Sequence, residues 1–486
     1  MNFGKRVSLF LLPSIVQGVV AFGMVPVATY VLGPEDFGVF ALVSTMTALP
    51  SAIASLGSGY LLAAHYPAAG VSERRSMIST ILLAGLLVLL AFTTVALTLW
   101  PWLTQNWKAM AIVPTMGIIL SCLAMLLAYP WSIAIDTITL DAKARLYAMV
   151  GIGQSVLSAL TIIVGLYLLQ WGVLSLFAGA VAGASLQFVG AVLALRLYLS
   201  FRVDVQWVRQ IMRVGMPATT ANLIENLQGF FERYLLTAYS GFAQLGLYYH
   251  SQQYRNVVSA PVKAIARSVW PITLVESKER HTEFLNTKRA WNVTYVGITV
   301  VGVLFATLGK PLIAWWTHDK FSEAYWMAAA WMVFILIQNS GKAQTGILYA
   351  NDEAPYYMKS YVMSSIAAII MLFLLVALIG TVGVILAVIA QQVLFRILLQ
   401  LRARKYAQAS FQDHWVVTGS GVILLALSLS TVLGLETIGR GITFLVICMV
   451  IGVMARRILV GVVSKSMNWL SAPSDAADRK DLKISL

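Results

Sequence analysis

Fourteen stretches of about 20 apolar residues follow one another along the chain of 486 residues. A bilayer core about 30 Å thick needs roughly 20 apolar residues per helix. Hydrophobic residues make up 59% of the sequence and charged residues only 11%, whereas soluble domains carry about 25% charged residues. The sequence therefore predicts an all-α polytopic membrane protein and excludes soluble enzymes and nucleic-acid-binding proteins. The predicted spans are approximately 7–32, 37–64, 77–100, 110–134, 146–169, 173–195, 214–239, 244–274, 290–314, 325–350, 360–380, 383–401, 415–434 and 441–459.

The distribution of Lys and Arg predicts the orientation of these spans. If the N-terminus is inside, the inner segments hold 24 of the 34 basic residues, the outer loops hold four, and six lie within spans. Cytoplasmic loops of membrane proteins carry such an excess. Both termini are therefore predicted to be cytoplasmic. The net charge of +14 is explained by this topology and requires no nucleic acid as partner.

Two cysteines, Cys122 and Cys448, both lie inside apolar stretches. They form neither a disulfide framework nor a metal-binding motif, so both are interpreted as packing residues. We expect no metal, no cofactor and no catalytic residue in this chain.

Glycine and proline positions indicate that the first twelve spans form two halves. The turn Gly33–Gly38 recurs 208 residues later as Gly241–Gly246, and Pro13 in the first span has a counterpart in Pro217 of the seventh. Each half begins inside and contains six spans, which predicts a parallel repeat about an axis along the membrane normal. The predicted units are an N-lobe (1–205), a C-lobe (206–405), two additional transmembrane helices (406–462) and a cytoplasmic tail (463–486).

Several local motifs resemble a known superfamily. They are Tyr30-Val-Leu-Gly-Pro-Glu-Asp-Phe-Gly38, Gly57-Ser-Gly-Tyr-Leu-Leu-Ala-Ala64, Gly215-Met-Pro217, and Phe231-Glu-Arg-Tyr-Leu-Leu236 followed by Leu245-Gly-Leu-Tyr248. With the twelve-plus-two arrangement, they resemble the polysaccharide-exporter branch of the multidrug/oligosaccharidyl-lipid/polysaccharide exporter superfamily, whose members flip lipid-linked oligosaccharides. The resemblance covers roughly residues 1–405. It implies a bacterial inner-membrane location and an undecaprenyl-pyrophosphate-linked substrate.

Ionisable side chains occur at bilayer depth in the C-lobe, whereas the N-lobe spans contain none well inside. Each costs on the order of 3 kcal/mol on insertion scales, so each is a candidate functional residue. Six cations and two carboxylates leave a formal charge of +4. The eight residues are Glu225, Glu232, Arg233, Arg255, Lys263, Arg267, Lys342 and Arg396.

The spacing of these residues places them on polar helix faces. Glu225 and Glu232 are seven residues apart in span seven, and Arg255, Lys263 and Arg267 follow at intervals of eight and four in span eight. We expect Arg233, Arg255, Lys263, Lys342 and Arg396 to bind an anionic substrate, and Glu225 and Glu232 to couple transport to a proton or sodium ion. Structural pairs are the alternative, namely Glu225–Arg255 and Glu232 with Arg233 or His250. Arg267 and Arg396 have the alternative of reaching to the inner membrane surface.

The predicted function is a flippase that translocates an undecaprenyl-pyrophosphate-linked oligosaccharide by alternating access. Its N-lobe would contact neutral sugars through Gln17, Gln154 and Gln187. Expected partners are the lipid-linked anionic oligosaccharide, the coupling ion, and a candidate polysaccharide polymerase and export complex, with the flippase itself a monomer. One alternative is a drug or organic-cation antiporter of the same superfamily, although the net positive charge disfavours cationic substrates. Another is a membrane glycosyltransferase or polysaccharide polymerase, which would need a larger aqueous loop, and a non-transporting scaffold is a third.

Overall fold

The fold is described from a computed structural model. The structure describes residues 3–66, 69–141, 144–198, 200, 203–278, 285–340, 342–351, 353–406, 414–432, 439–449 and 451. The predicted tail (463–486) lies outside these residues. The described residues are almost entirely helical and contain no β-strand, as the apolar periodicity predicts. The protein is an all-α polytopic membrane protein.

The described part of the N-lobe contains eight helices, two of them short. Apolar runs of membrane-spanning length form the long helices, and glycine or proline residues lie at several of their ends. The helices are α1 (Phe3–Val31), α2 (Pro34–Ala54), α3 (Ser58–His65), α4 (Val71–Asn106), α5 (Lys108–Ala111), α6 (Thr115–Leu140), α7 (Ala144–Ile163), which a π-helical turn continues over Val164–Leu168, and α8 (Leu174–Leu195).

The second half of the chain is also helical from its linker onward. Its helices are α9 (Val205–Gln210), followed by a π-helical turn over Ile211–Gly215, α10 (Met216–Lys278), α11 (Leu285–Trp316), a 3₁₀ turn over Ser322–Ala324, α12 (Tyr325–Ser340), α13 (Lys342–Ala350), α14 (Ala354–Ala403), α15 (His414–Val432) and α16 (Gly439–Met449).

Two of these helices are antiparallel hairpins rather than continuous rods. Helix α10 breaks at Gly241, whose φ is +82°, and its arms, residues 216–240 and 242–278, then lie side by side. Helix α14 breaks at Ile379–Gly380, giving arms 354–378 and 381–403. Both breaks agree with the predicted boundaries between spans. A glycine allows the sharp reversal because it adopts a positive φ without steric penalty.

Contacts between the arms of α14 confirm that this helix folds back on itself. Near its midpoint Gln391 Nε2 donates to Ser365 Oγ at 2.9 Å. At its open end Arg402 forms a 2.5 Å salt bridge with Glu353, just before the first arm. The hydrogen bond from Arg402 holds the pKa of Glu353 below its ordinary value, so this pair persists until the pH falls well into the acidic range.

Seven helices in the described part of the chain combine the length and hydropathy that a membrane span needs. Helix α10 is not among them, and α14 counts once although it has two arms. The apolar stretches of α1 (Val16–Val31), α15 and α16 are shorter. The count of fourteen spans therefore stays a prediction. Helix α6 extends to Leu140, beyond the predicted span boundary at residue 134, so Asp136 lies inside a helix of the N-lobe.

Helix α2 packs against both arms of α10, and this contact joins the two lobes. At one end a β-carbon added to Gly38 would overlap the carbonyl oxygen of Phe242, and one added to Gly246 would overlap that of Pro34. At the other end Gly57 and Gly215 are in backbone contact. Such close approach is open only to glycine. The charge count assigns the Gly38 end to the outside, and we call it the outer end.

The two outer contacts are related by the spacing of the sequence repeat. Gly38 contacts Phe242, and Gly246 contacts Pro34. The two glycines are 208 residues apart, and their partners Pro34 and Phe242 are also 208 residues apart. A reciprocal pair of contacts is what a two-fold relation between similar halves produces. The observation supports the predicted duplication.

Candidate functional site

A polar cavity of about 560 Å³ lies in the C-lobe and is closed on one side by α2 and α3 of the N-lobe. Four cationic side chains and two carboxylates line it, together with amides and tyrosines. We call it the cationic chamber. Its charged lining residues are Glu225, Glu232, Arg233, Arg255, Lys263 and Arg396.

Six of the seven predicted site residues therefore share one cavity. The side chain of Lys342, the seventh, and that of Arg267 lie outside the described residues. Arg396 lines the chamber. The helical spacing that predicted a polar face on each arm of α10 explains the gathering, because the hairpin turns both faces toward the same space.

Glu232 is held by neutral donors. It is 7% exposed, its Oε2 accepts from the Tyr248 hydroxyl at 2.9 Å, and its Oε1 accepts from Gln228 Nε2 at 2.9 Å. His250, the alternative partner, instead contacts the Tyr254 hydroxyl at 2.9 Å. Within the described residues Glu232 has no salt bridge, so the predicted structural pairs with Arg233 and His250 do not form.

Gln228 extends this network to the other side of the chamber. The same amide nitrogen that bonds Glu232 also lies 2.9 Å from Gln391 Oε1, and Gln391 bonds Ser365 in turn. The chain of hydrogen bonds thus links both arms of α10 to both arms of α14. A fully bonded buried network fixes the positions of its members.

Arg255 is positioned by aromatic rings. Its guanidinium carbon lies 4.4 Å above the Trp331 ring and 5.7 Å from that of Phe334, and Trp331 is itself fixed by a 2.9 Å hydrogen bond from Nε1 to Ser251 Oγ. Arginine stacks favourably on aromatic faces. No described residue forms a hydrogen bond or salt bridge with Arg255, so its N–H donors remain available to a ligand.

Arg233 connects the chamber to the N-lobe. Its Nη1 donates to Thr45 Oγ1 of α2, and its Nη2 donates to Gln252 Oε1 at 3.1 Å. Its buried Nε has no hydrogen-bond partner among the described residues. Lys263 is exposed within the chamber. The four cations therefore surround one space without direct neutralisation of Arg233 or Arg255 by a carboxylate.

An aromatic wall opposite α10 was missed by the sequence analysis. The ring centroids of Tyr349 and Tyr357 lie 5.6 Å apart, and Phe395 lies 5.3 Å from Tyr357 and 5.5 Å from Tyr361. The four-residue interval between Tyr357 and Tyr361 places them on one helix face. Tyrosine is common in membrane helices, so that interval alone did not distinguish a chamber wall from packing.

At the outer end, the two lobes make further contacts besides those of the glycines. Lys320, in the turn after α11, donates to the Tyr30 carbonyl oxygen at the end of α1 at 2.8 Å, where a cation complements the helix dipole. Nearby, the rings of Phe37 and Phe321 pack edge to face with centroids 5.2 Å apart. The outer end is therefore closed by apolar, glycine and lysine contacts.

Known proteins with a similar sequence or fold also belong to the class of helical membrane proteins. The model of a family described as "Polysaccharide biosynthesis protein" matches residues 3–273, more than half of the chain. A search of the curated proteins gives no match. The solved structure described as "Lipid II flippase MurJ, inward closed conformation" is similar over 93% of this chain and 99% of that chain, with 14% identity and a TM-score of 0.66.

Other solved structures with this fold are also transporters. An inward-facing multidrug resistance MATE family transporter of the MOP superfamily is 14% identical, with a TM-score of 0.65 over 85% of this chain and 99% of that chain. A MOP superfamily transporter from Pyrococcus furiosus is 15% identical, with a TM-score of 0.54 over 82% of this chain and 95% of that chain. At these identities the likeness establishes the fold.

Proposed function

Because the chain belongs to the family of polysaccharide biosynthesis proteins and has the MOP transporter fold, we propose that it is a flippase for lipid-linked oligosaccharides. It would carry an undecaprenyl-pyrophosphate-linked repeat unit across the bacterial inner membrane for surface polysaccharide synthesis. The cationic chamber is the observation that carries this proposal. The polyprenyl carrier follows from the family resemblance described above.

The charges of the chamber suit a pyrophosphate. Four cations against two carboxylates leave a formal charge of +2, and opposite charges attract more strongly in a partly enclosed cavity than in bulk water. Arg255 presents unengaged donors, and arginine matches phosphate oxygens through two parallel hydrogen bonds. An organic cation would be repelled by the same chamber, so the flippase is favoured over the antiporter.

Transport would occur by alternating access of the two lobes. The seam between α2 and the two arms of α10 closes the outer end, and Arg233 bonds Thr45 across it. Rocking of one lobe against the other would open this seam and break that bond. A pyrophosphate bound to Arg233 would compete with Thr45 for the guanidinium and so favour the movement.

Glu232 and Glu225 are proposed to couple this movement to a proton or sodium ion. Replacement of Glu232 by Gln should abolish the stimulation of transport by an imposed ion gradient, because the amide cannot exchange a proton. Basal, gradient-free flipping should fall less than about threefold, since the Tyr248 hydroxyl can turn to accept from the new amide. Flipping in proteoliposomes with and without each gradient measures the difference.

The matched control for this experiment is Glu323→Gln, which removes an exposed carboxylate paired with Lys310 outside the chamber. It should retain full gradient stimulation. Retained stimulation in both Glu232→Gln and Glu225→Gln would show that neither carboxylate carries the coupling.

The flippase itself is tested by substrate selectivity and by Lys263. Proteoliposomes with the wild-type protein should flip an undecaprenyl-pyrophosphate-linked disaccharide and should not exchange an organic cation such as tetraphenylphosphonium. Lys263→Gln should slow flipping about tenfold, because loss of one cation–phosphate contact of about 1.4 kcal/mol corresponds to that factor. Lys310→Gln, an exposed cation outside the chamber, should leave the rate unchanged. Cation exchange without lipid flipping would replace the flippase by the antiporter.

A further inference from the structure

The N-lobe contains a second cavity, of about 630 Å³, with a different chemistry. None of the described residues that line it is ionisable. We call it the neutral chamber. Its polar lining consists of three glutamines and six hydroxyl residues: Gln17, Gln154, Gln187, Ser44, Thr47, Ser51, Ser121, Ser155 and Ser158.

Several hydroxyl groups of the neutral chamber donate to their own helix and can therefore accept a hydrogen bond from a ligand. Ser44 donates its proton to the Phe40 carbonyl oxygen at 2.7 Å, Ser51 to that of Thr47 at 2.8 Å, and Ser155 to that of Gly151 at 3.1 Å. A hydroxyl that donates to its own helix keeps lone pairs for another donor. Each of these oxygens can therefore accept a hydrogen bond from a ligand.

The three glutamines supply donors and further acceptors. Gln17 Nε2 donates to the Gly151 carbonyl oxygen at 3.1 Å, and Gln187 Nε2 donates to Gln154 Oε1. An amide has two N–H donors and two acceptor positions, so these bonds use only part of the capacity. The rings of Phe40 and Phe177, with centroids 5.1 Å apart, also line the chamber.

Helix α2 separates the two chambers. Its residues Ser44, Thr47 and Ser51, spaced three and four apart, line the neutral chamber, whereas Thr45 lines the cationic chamber. Ala48 lines both. The two chambers therefore adjoin at this small residue.

From these contacts we infer that the neutral chamber binds uncharged sugar residues of the same ligand whose pyrophosphate occupies the cationic chamber. This inference rests on the proposed function. Sugars present many hydroxyl groups and apolar ring faces, which match the amides, the serine oxygens and the phenylalanine rings. A polyprenyl chain would instead leave the remaining donors and acceptors of the amides without partners, at a cost for each buried polar group.

The inference is tested by the combined variant Gln17→Leu, Gln154→Leu and Gln187→Leu in the full-length protein in nanodiscs. The probes are undecaprenyl pyrophosphate, the same lipid bearing a neutral disaccharide, and a neutral diacylglycerol disaccharide without phosphate. The wild type should bind the disaccharide-bearing pyrophosphate lipid at least tenfold more tightly than the bare one. The triple variant should bind both equally, with unchanged affinity for the bare lipid, in native mass spectrometry.

A matched control and a second variant keep the result interpretable. Gln105→Leu removes an exposed glutamine at the end of α4 and should retain the tenfold preference. If the triple variant does not fold, Ala180→Leu fills the chamber without removing a polar group and should cause the same loss of preference.

The outcomes separate this inference from the proposed function. Failure of bare undecaprenyl pyrophosphate to bind the wild type would refute the proposed pyrophosphate site. In that case the neutral glycolipid alone tests the sugar subsite. Binding of this glycolipid to the wild type, together with loss of that binding in the triple variant, supports the sugar subsite. An unchanged disaccharide preference in the triple variant overturns it, as does displacement of the neutral glycolipid by sugar-free undecaprenol, which would identify a hydrocarbon site.

Discussion

Replacement of Gly246 by alanine should abolish flipping, although the change adds a single methyl group. A β-carbon at this position would overlap the Pro34 carbonyl oxygen, which belongs to the backbone of the other lobe and cannot move like the end of a flexible side chain. Overpacking of a dense interior typically costs about 1–3 kcal/mol, and here the strain falls entirely on the closed outer seam. The protein should therefore stay open at the outer end. Flipping in proteoliposomes should fall to background.

The reciprocal position gives an independent check. Gly38→Ala should have the same effect, because its β-carbon would overlap the Phe242 carbonyl oxygen. Gly297→Ala is the matched control, since nothing lies within 4 Å of a β-carbon added at this membrane glycine. Accessibility of an engineered cysteine at Phe37→Cys to a membrane-impermeant reagent should rise in the Gly246 and Gly38 variants only. Normal flipping by Gly246→Ala would mean that the outer seam need not close during transport.

Replacement of Arg233 by methionine should reduce flipping about 100-fold. The guanidinium donates to Thr45 in one lobe and to Gln252 in the other and lines the cationic chamber, so the change removes a substrate cation and the polar link across the moving seam together. Hydrogen bonds to charged groups contribute about 1.5–3 kcal/mol each, and 100-fold corresponds to about 2.7 kcal/mol. Surface polysaccharide and accumulated lipid-linked precursor, measured in a strain that depends on the variant, report the loss.

Two variants divide the effect of Arg233 into its parts. Arg233→Lys keeps the charge but lacks the planar fork, so an intermediate loss of about tenfold is expected. Thr45→Val removes only the hydrogen bond that Arg233 makes to α2. Because Thr45 competes with a pyrophosphate for this guanidinium, the affinity for undecaprenyl pyrophosphate should not fall in this variant, whereas it should fall in Arg233→Met. If Arg233→Met flips the lipid at the wild-type rate, the guanidinium has no part in binding or in lobe movement.

Properties that depend on neighbouring residues in the chain were predictable from the sequence. Hydropathy over about 20 residues identifies membrane helices, and the 3.6-residue period places Glu225 and Glu232, or Arg255 and Lys263, on one helix face. The turns at Gly241 and Gly380 were likewise predicted as boundaries between antiparallel spans. These conclusions required no knowledge of how one helix packs on another.

The partners of the charged residues were decided by the tertiary structure. Sequence proximity suggested Glu232 with Arg233, yet Glu232 bonds Tyr248 from the second arm of α10, and Arg233 reaches Thr45, 188 residues away. The stacking of Arg255 on the Trp331 ring likewise depends on the packing of α10 against α12.

The sequence by itself determined that this chain is a helical membrane protein with buried charge in its second half, because hydrophobicity and helical periodicity are local properties. Only the tertiary structure decided that the charges share one chamber, that tyrosines face them, and that α2 divides this chamber from a neutral one. Those arrangements arise from contacts between distant segments, and the same local pattern is compatible with many packings of its helices.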